Sequence, residues 1–360
     1  MALSEKKNRG EWSELYALVK ILAMGSLPHY VDLNSNQPSH FPVIAVSRWI
    51  GGGELKFTIK NGFIECLDVA KNHHISNIPQ DDLVIYGQQL LDGILSGKGR
   101  TFAIPSATPM MAELGISSVT GVTRKDDLRI TVYDSHIKQE ISSGFSIKSF
   151  LGSKPSLLNS SGVTNITYKI SGRLETSEVK ALNQLGPIPL VRSLVDTNHK
   201  LILAHMDQRF VENLKMVDSE MHLLLAEFVL ASFRSTGRTT SDVLKVLVID
   251  NPLNYSKLNC EDRYKHKIKD LLEAIALGMR PAEPWMGKTE ATGGNLVVAA
   301  DGKLLCHYAL DGDSLRDYLY SHTFVDTPSR KRHNFGTIFG DQLTLNFQIR
   351  LMNNSATMNH

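Results

Sequence analysis

The residues of this 360-residue chain that could do chemistry are concentrated near its middle. Asp127 opens a run, Leu128–Tyr133, in which apolar and polar side chains alternate. A second run, Gly144–Phe150, carries Ser146 and Lys148 two residues apart. Because strand side chains alternate with a period of two, Ser146 and Lys148 are expected on one face. If the two runs pair as a hairpin, Asp127 and Lys148 lie side by side at one end of a sheet.

A carboxylate beside a lysine is suited to the hydrolysis of a phosphodiester. The carboxylate can hold a divalent metal, which polarises the phosphate and lowers the pKa of a water. The lysine can orient that water, help to deprotonate it, or balance charge in the transition state. A surface hairpin with a capping Asp127 and a solvated Lys148 would show the same short pattern. Taken alone, the short pattern therefore favours a surface hairpin without a catalytic role.

The elements predicted around this stretch are a mixture of helices and strands. Helical spacing of apolar residues predicts helices at about residues 9–24 and 79–96, and the pattern is helical again from about 175 to 280. The fold class is α/β or α+β, with the active-site strands in the first half. The other predicted strands are Val43–Trp49, Leu55–Ile59, Thr164–Ile170, Leu296–Ala299, Leu304–Tyr308 and Leu343–Leu351.

The composition is that of a soluble cytoplasmic protein. Hydrophobic residues make up 42% of the chain, the net charge is +2, and no apolar run approaches the length of a membrane span. Three distant cysteines argue against a disulfide framework and against a cysteine-based zinc site. No linker rich in Pro, Gly or Ser divides the chain cleanly. We expect a soft boundary near residue 175, which separates residues 1–175 from residues 176–360.

Several blocks of the sequence, in the same order, resemble HpaII-type restriction endonucleases. One lies at the N-terminus, one runs through and beyond the Ser146–Lys148 motif, and two lie near the C-terminus. The resemblance is therefore anchored at both ends and in the middle, and it covers most of the chain. The blocks are Asn8–Tyr16, Phe145–Asn159 continuing to Thr164 and Asn165, His333–Gly336, and Leu345–Arg350.

The resemblance implies a fold and an activity. The implied fold is a PD-(D/E)xK nuclease core, a mixed central sheet flanked by helices, in residues 1–175, with a DNA-recognition part in residues 176–360. The implied activity is Mg²⁺-dependent cleavage of double-stranded DNA, with CCGG as the family's usual target. In this family the backbone carbonyl of the residue between the motif positions, here Ile147, commonly adds a metal ligand. A cognate DNA methyltransferase is the implied genetic partner in a prokaryotic host. The oligomeric state stays open, with a homodimer as one option.

The sequence departs from the general nuclease motif at Ser146, where a second acid is expected. In several branches of this nuclease fold a glutamate from the first helix fills that gap. Glu14 and Glu11 are the candidates here, and the Gly-x-x-x-Glu spacing from Gly10 favours Glu14. Glu11 can instead be a favourable first-turn charge at the helix N-terminus.

Two regions are candidates for DNA contacts. Ser149, Asn159 and Asn165 belong to the block that follows the catalytic motif, although asparagine more often serves a turn. The densest basic run, residues 330–334, contains Arg330, Arg332 and Asn334. The arginine fork matches the O6 and N7 acceptors of guanine, which a GC-only site would present. A solvated loop explains that basic run equally well.

The leading hypothesis is a type II restriction endonuclease in which Asp127 binds the metal, Glu14 or Glu11 assists, and Lys148 serves the attacking water. One alternative is a DNA-binding protein that keeps the fold without a working metal site. Ser146 favours this alternative, and the retained Asp127 and Lys148 oppose it. Another is a repair nuclease without sequence specificity, which would degrade plasmid DNA to a smear.

Overall fold

The chain folds into two compact units. The computed structural model describes residues 5–29, 39–51, 53–118, 124, 126–134, 138–309, 314–328 and 335–352. The first unit comprises Met1–Pro155 and Glu290–Leu315, and the second comprises Ser156–Thr289 and Arg316–Asn359. This division differs from the expected boundary near residue 175, because Gly294–Val298 and Leu304–Tyr308 pair into the sheet of the first unit.

The first unit is built on strands, with three helices in the part of the chain that the structure describes. Its strands are β1 (Lys6–Lys7), β2 (Ser26–His29), β3 (Ser39–Ile50), β4 (Gly53–Lys60), β5 (Phe63–Asp68), β6 (His73–Pro79), β7 (Phe102–Ala103), β8 (Leu128–Asp134), β9 (Gln139–Ser149), β13 (Gly294–Val298) and β14 (Leu304–Tyr308). Its helices within the described ranges are α1 (Arg9–Met24), α2 (Gln80–Ser96) and α3 (Ala107–Glu113).

A nine-stranded mixed sheet organises this unit, in the order β2-β14-β13-β9-β8-β3-β4-β5-β6. The pairings of β13 with β9 and of β14 with β2 are parallel, and the other pairings in the sheet are antiparallel. Strands β8 and β9 therefore lie inside the sheet, between β3 and β13. Their central position holds the predicted hairpin in a rigid setting.

Helix α1 forms where the apolar spacing predicts it. The helix begins with a capping box, in which the side chains of Asn8 and Glu11 each bond to the other residue's backbone N–H, and it ends at Gly25 with a φ of 61°. Its apolar face packs into the core, where the indole N–H of Trp12 donates to the carbonyl of Phe102 at 3.0 Å. The helix is thereby fixed in rotation, and so is every polar side chain that it carries.

The second unit contains most of the helices. Its strands are β10 (Ser156–Leu158), β11 (Asn165–Ile170), β12 (Leu201–Met206), β15 (Thr323–Asp326), β16 (Thr337–Phe339), β17 (Gln342–Asn346) and β18 (Gln348–Leu351). Its helices within the described ranges are α4 (Thr176–Gln184), α5 (Pro187–Asp196), α6 (Gln208–Val217), α7 (Met221–Arg234), α8 (Thr240–Asp250) and α9 (Cys260–Leu277). Helix α10 (Ser314–Ser321) crosses from the first unit into the second.

Two predictions for this unit were wrong in detail. The helical stretch from 175 to 280 is interrupted by β12, which pairs antiparallel with β11 in a four-stranded sheet. The single strand expected over Leu343–Leu351 is two strands, because β17 belongs to the four-stranded sheet and β18 to a separate three-stranded sheet. The break falls at Phe347, whose backbone N–H donates to the carbonyl of Thr164 at 3.0 Å.

The fold class predicted from the sequence is confirmed. Helices and strands are mixed along the chain, and the central sheet contains parallel and antiparallel pairs. Cys66, Cys260 and Cys306 are buried and form no disulfide. None of the helices in the described ranges has both the length and the apolar content that a membrane crossing requires.

Candidate active site at one end of a central hairpin

The two runs that carry the motif pair as an antiparallel hairpin, as predicted. Leu128 of β8 lies opposite Phe145 of β9. Asp127 immediately precedes β8, and its backbone N–H donates to the carbonyl of Phe145 at 2.8 Å. This bond carries the pairing one residue further and places Asp127 beside the Ser146–Lys148 motif.

The side chains of the motif are engaged with one another. The Asp127 carboxylate accepts a hydrogen bond from the backbone N–H of Ile147, with 2.6 Å between Oδ2 and N. The ammonium group of Lys148 donates to Ser146 Oγ at 3.0 Å, so these two side chains share a face. A carboxylate and an ammonium group are thus held on rigid backbone at the same end of the hairpin.

The neighbouring acid, Asp126, is committed elsewhere. Its buried carboxylate accepts from Arg124 at 2.8 Å and from Arg129 at 3.3 Å. Both guanidinium groups lie over the ring of Trp49, at 4.2 Å and 5.5 Å from the ring centroid. Asp126 therefore anchors a cationic cluster, and Asp127 is the acid that faces the motif.

Glu14 joins this site from α1, together with an arginine that the sequence reasoning missed. Arg48 of β3 donates to the Glu14 carboxylate, with 3.3 Å between the nitrogen and Oε2. The Arg48 side chain is 1% exposed, so its charge is held deep in the protein. An arginine in the middle of the apolar run Val43–Ile50 was a readable signal, because buried arginines are rare unless they are paired.

The two candidate glutamates of α1 have different surroundings. Glu11 completes the capping box, in which its carboxylate accepts from the backbone N–H of Asn8 at 2.9 Å. Glu14 lies one helical turn further on, beside Arg48 and within the electrostatic range of Asp127. The structure therefore places Glu14 in the cluster and leaves Glu11 at the helix N-terminus.

The charged forms of the two carboxylates in the site are disfavoured. Burial raises the pKa of Glu14 to about 8, and the nearby Asp127 carboxylate adds to this rise, while Arg48 and Lys148 oppose it. Burial also raises the pKa of Asp127, against the lowering effects of Lys148, the Ile147 N–H and Arg48. Two carboxylates that resist ionisation in the same place are the arrangement that a bound cation relieves.

The donor set suits Mg²⁺. Two carboxylates and the carbonyl of Ile147 are hard oxygen donors, and Mg²⁺ is usually bound by one or two carboxylates while it keeps several waters. In the part of the chain that the structure describes, no group of three or more His, Cys, Asp or Glu side chains could hold a metal. The site therefore does not have the closed ligand set of a structural zinc site.

The raised pKa of Glu14 predicts how the stability of the metal-free protein depends on pH. Unfolded Glu14 ionises near its ordinary pKa of 4.5 and folded Glu14 near 8, so between these values the folded state binds the extra proton. The free energy of unfolding should therefore fall as the pH rises from about 5 to 8.5. Glu14→Gln, which is neutral throughout, should flatten this slope. Thermal unfolding in EDTA at several pH values measures it.

Added Mg²⁺ provides the control for that prediction. If Mg²⁺ binds at Glu14, it competes there with the proton, and Mg²⁺ should then raise the melting temperature more at pH 8.5 than at pH 6. A Glu14→Gln variant whose slope matches the wild-type slope would show that Glu14 does not hold the extra proton.

Three of the other residues proposed from the sequence lie within the described residues. Ser149 ends β9, and its hydroxyl accepts from the backbone N–H of Leu151 at 3.2 Å. Asn159 is exposed in the second unit. Asn165 begins β11, and its side-chain oxygen accepts from the buried Asn346 at 2.7 Å. The remaining three candidates, Arg330, Arg332 and Asn334, lie outside the described residues.

The amino-acid sequence matches a known family along nearly its whole length. The family model described as HpaII restriction endonuclease matches residues 8–351. The type II restriction enzyme HpaII of Haemophilus parainfluenzae is 36% identical over 355 residues, which are 96% of this chain and 98% of that enzyme. No solved structure matches the chain. The matched span includes α1, the β8–β9 hairpin and most of both units.

Proposed function

Because the chain belongs to the HpaII restriction endonuclease family and is a site-specific deoxyribonuclease, we propose that it cuts both strands of DNA at a short GC-rich palindrome such as CCGG, with Mg²⁺ as its cofactor. The observation that carries this proposal is the convergence of Asp127, Glu14 and Lys148 at one end of the hairpin. Together these residues supply the parts of a PD-(D/E)xK nuclease site.

Asp127, Glu14 and the carbonyl of Ile147 are the proposed metal ligands. When bound, the cation polarises a phosphate oxygen and lowers the pKa of a water. Glu14 takes the role of the acid that Ser146 lacks, and it reaches the site from α1. Arg48 holds the Glu14 carboxylate at 3.3 Å and limits its movement when DNA and metal arrive.

Lys148 is the proposed partner of the attacking water. Its ammonium group is fixed by Ser146 Oγ at 3.0 Å, and two of its three protons stay available to other acceptors. One can bond the water and another a phosphate oxygen, where negative charge accumulates during the displacement. Such preorganised donors stabilise a transition state without reorganisation at the moment of reaction.

Variants of the two glutamates of α1 distinguish a metal ligand from a residue that only stabilises the helix. Glu14→Gln should lower the cleavage rate about a hundredfold and raise the Mg²⁺ concentration required for half-maximal rate, because one negative ligand is lost. Glu11→Gln is the matched control on the same helix. It should keep the rate within about threefold and lower the melting temperature slightly, through the weakened capping box.

The outcome of that comparison is read from single-turnover cleavage across an Mg²⁺ series. If Glu11→Gln is the inactive variant, the ligand lies on the other turn of α1. If both variants cut normally, no carboxylate of this helix replaces the missing acid.

For recognition of the target, we propose that the first unit is the nuclease core and that the second unit carries most of the base-reading residues. Arg330, Arg332 and Asn334 are the candidates for guanine contacts, because a GC-only site offers paired major-groove acceptors. The lesser candidates are Ser149, Asn159 and Asn165, and the bond from Asn346 limits how the last of these can turn.

The proposed partners follow from this activity. The substrate is double-stranded DNA, and a cognate methyltransferase must protect the host's own sites. A palindrome has two symmetry-related scissile bonds, while the chain has one Asp127–Lys148 cluster. A homodimer would supply both centres, since protein and site can share a two-fold axis. The enzyme would work in the bacterial cytoplasm, where incoming DNA is met.

The serine at position 146 favours a second candidate, a DNA-binding protein of this fold with impaired catalysis. Digestion of a sequenced plasmid in Mg²⁺ or in EDTA, followed by mapping of the ends, decides between the candidates. The proposal predicts discrete fragments with ends at one short palindrome in Mg²⁺ and uncut plasmid in EDTA. Uncut plasmid in both would support impaired catalysis, and a smear would indicate a nuclease without sequence specificity.

A further inference from the structure

A row of polar side chains crosses the interior of the sheet next to the hairpin. Strand β13 pairs in parallel with β9 and places Asn295 opposite Ser146. On its other side, β13 pairs with β14 and places His307 opposite Asn295. Residues directly opposite each other in a sheet point to the same face. Ser146, Asn295 and His307 are 2%, 0% and 9% exposed, so the row is buried.

Asn295 is the unusual member of this row. Its side-chain nitrogen and oxygen are both buried, and neither has a hydrogen-bond partner among the described residues. Burying an amide without a partner is costly, and an apolar side chain of the same volume would avoid that cost. Buried polar groups of this kind are few in native proteins, and they call for a reason. A functional reason is offered by Ser146, which lies opposite Asn295 on the neighbouring strand β9.

Ser146 needs a second partner if it is to hold Lys148. Its oxygen accepts from the Lys148 ammonium group, which leaves the hydroxyl proton to be donated. An acid at this position would hold the lysine by charge, whereas a serine holds it only through a correctly turned hydroxyl. The backbone of Asn295 lies one strand away from that of Ser146, at the usual strand spacing of about 4.8 Å, and the two side chains are on the same face of the sheet.

We propose that Asn295 is a positioning residue that acts on Lys148 through Ser146. The Asn295 oxygen accepts a hydrogen bond from the Ser146 hydroxyl when DNA is bound, and this turns a lone pair of the serine oxygen towards the lysine. Hydrogen bonds in catalytic sites often tighten only when substrate is bound. The inference rests on the proposed catalytic role of Lys148, and it gives the serine in the motif a working partner.

Asn295→Leu tests this, because the two side chains share the same branching and number of heavy atoms, and leucine cannot accept a hydrogen bond. With saturating DNA and Mg²⁺, kcat should fall about 10- to 100-fold, as is usual when a supporting hydrogen bond is lost, and KM should change little. The melting temperature should stay the same or rise, because an unpartnered buried amide is removed. Loss of activity without loss of stability is a result that a merely structural role would not produce.

A buried asparagine elsewhere gives the matched control. Asn213 donates to the carbonyls of Arg280 and Glu283 at 2.9 and 2.8 Å, and it accepts from the N–H of Trp285 at 3.0 Å. Asn213→Leu should therefore lower the melting temperature and leave the kcat of the folded enzyme unchanged. If Asn295→Leu does not fold, Asn295→Ala carries the same prediction for kcat. Asn295→Asp, which keeps an acceptor oxygen, should retain more activity than either.

The double variant Ser146→Ala/Asn295→Leu locates the path of the effect. Because the proposed influence passes through the serine, the leucine should cost nothing further once Ser146 is alanine. Wild-type kcat in Asn295→Leu, or independent and multiplicative losses in the double variant, would overturn the inference. Lys148→Ala in the same assays keeps the two proposals apart. If it cuts normally, the catalytic assignment itself fails; if it is inactive while Asn295→Leu is fully active, only the role of Asn295 fails.

Discussion

Replacing Lys148 with alanine is expected to lower the single-turnover cleavage rate on the order of a hundredfold or more, while the variant stays folded and still binds DNA. The ammonium group lies at the end of the hairpin and bonds Ser146 Oγ at 3.0 Å, so the charge is in place before substrate arrives. In the proposed mechanism, its loss removes a donor that acts mainly in the transition state. The rate with a cognate duplex in Mg²⁺ measures the effect, and binding in Ca²⁺ shows that the complex still forms.

Lys60→Ala is the control for this variant. Lys60 ends β4, is 62% exposed and pairs with Glu65 at 2.6 Å, so its loss removes an equal charge from the same unit. It should cut at the wild-type rate. A Lys148→Ala enzyme that cuts as fast as the Lys60→Ala enzyme would remove the lysine from the mechanism.

Asp127→Asn should be the second variant with a large effect. The asparagine can replace the carboxylate in the 2.6 Å bond from the Ile147 N–H, but it cannot supply negative charge to a cation. We expect the rate to fall on the order of a hundredfold or more, and the response to Mg²⁺ to weaken. Because burial raises the pKa of the carboxyl, removing its charge should not lower the stability of the metal-free protein.

Asp134→Asn is the matched control at the opposite end of β8. It makes the same chemical change on the same strand and should leave the rate and the Mg²⁺ response as in wild type. The cleavage rates of both variants, measured across an Mg²⁺ series, provide the comparison. An Asp127→Asn enzyme with a normal rate and a normal Mg²⁺ requirement would mean that another acid binds the metal.

The parts of the molecule that local sequence patterns control were predictable. Helix α1 has regular apolar spacing and a capping box, and it begins and ends where the pattern indicates. The pairing of β8 with β9 follows from alternation within one short stretch. The Asn61–Gly62 dipeptide between β4 and β5 is also a sequence signal for a two-residue hairpin turn. Both residues have the positive φ that such a turn requires. That hairpin was nevertheless not predicted.

The parts that depend on pairing between distant segments were not predictable from local patterns. Arg48 and Asn295 reach the site only because β3 and β13 flank the hairpin in the sheet, and they are separated from it by many residues. The same cause explains why a single boundary near residue 175 was expected. Strands β13 and β14 belong to the first unit, although they follow most of the second unit in the sequence. Strand β12 was hidden because its neighbours on both sides are helical.

The most direct test of the central claim is a crystal structure of the protein with a duplex that contains the proposed site CCGG and with Ca²⁺, which commonly replaces Mg²⁺ without supporting cleavage. The claim predicts a cation bound by the carboxylates of Asp127 and Glu14 and by the Ile147 carbonyl. It also predicts a backbone phosphate within hydrogen-bonding distance of the Lys148 ammonium group. A duplex whose scissile phosphate and cation lie against other residues, with the end of the β8–β9 hairpin free of DNA, would contradict it.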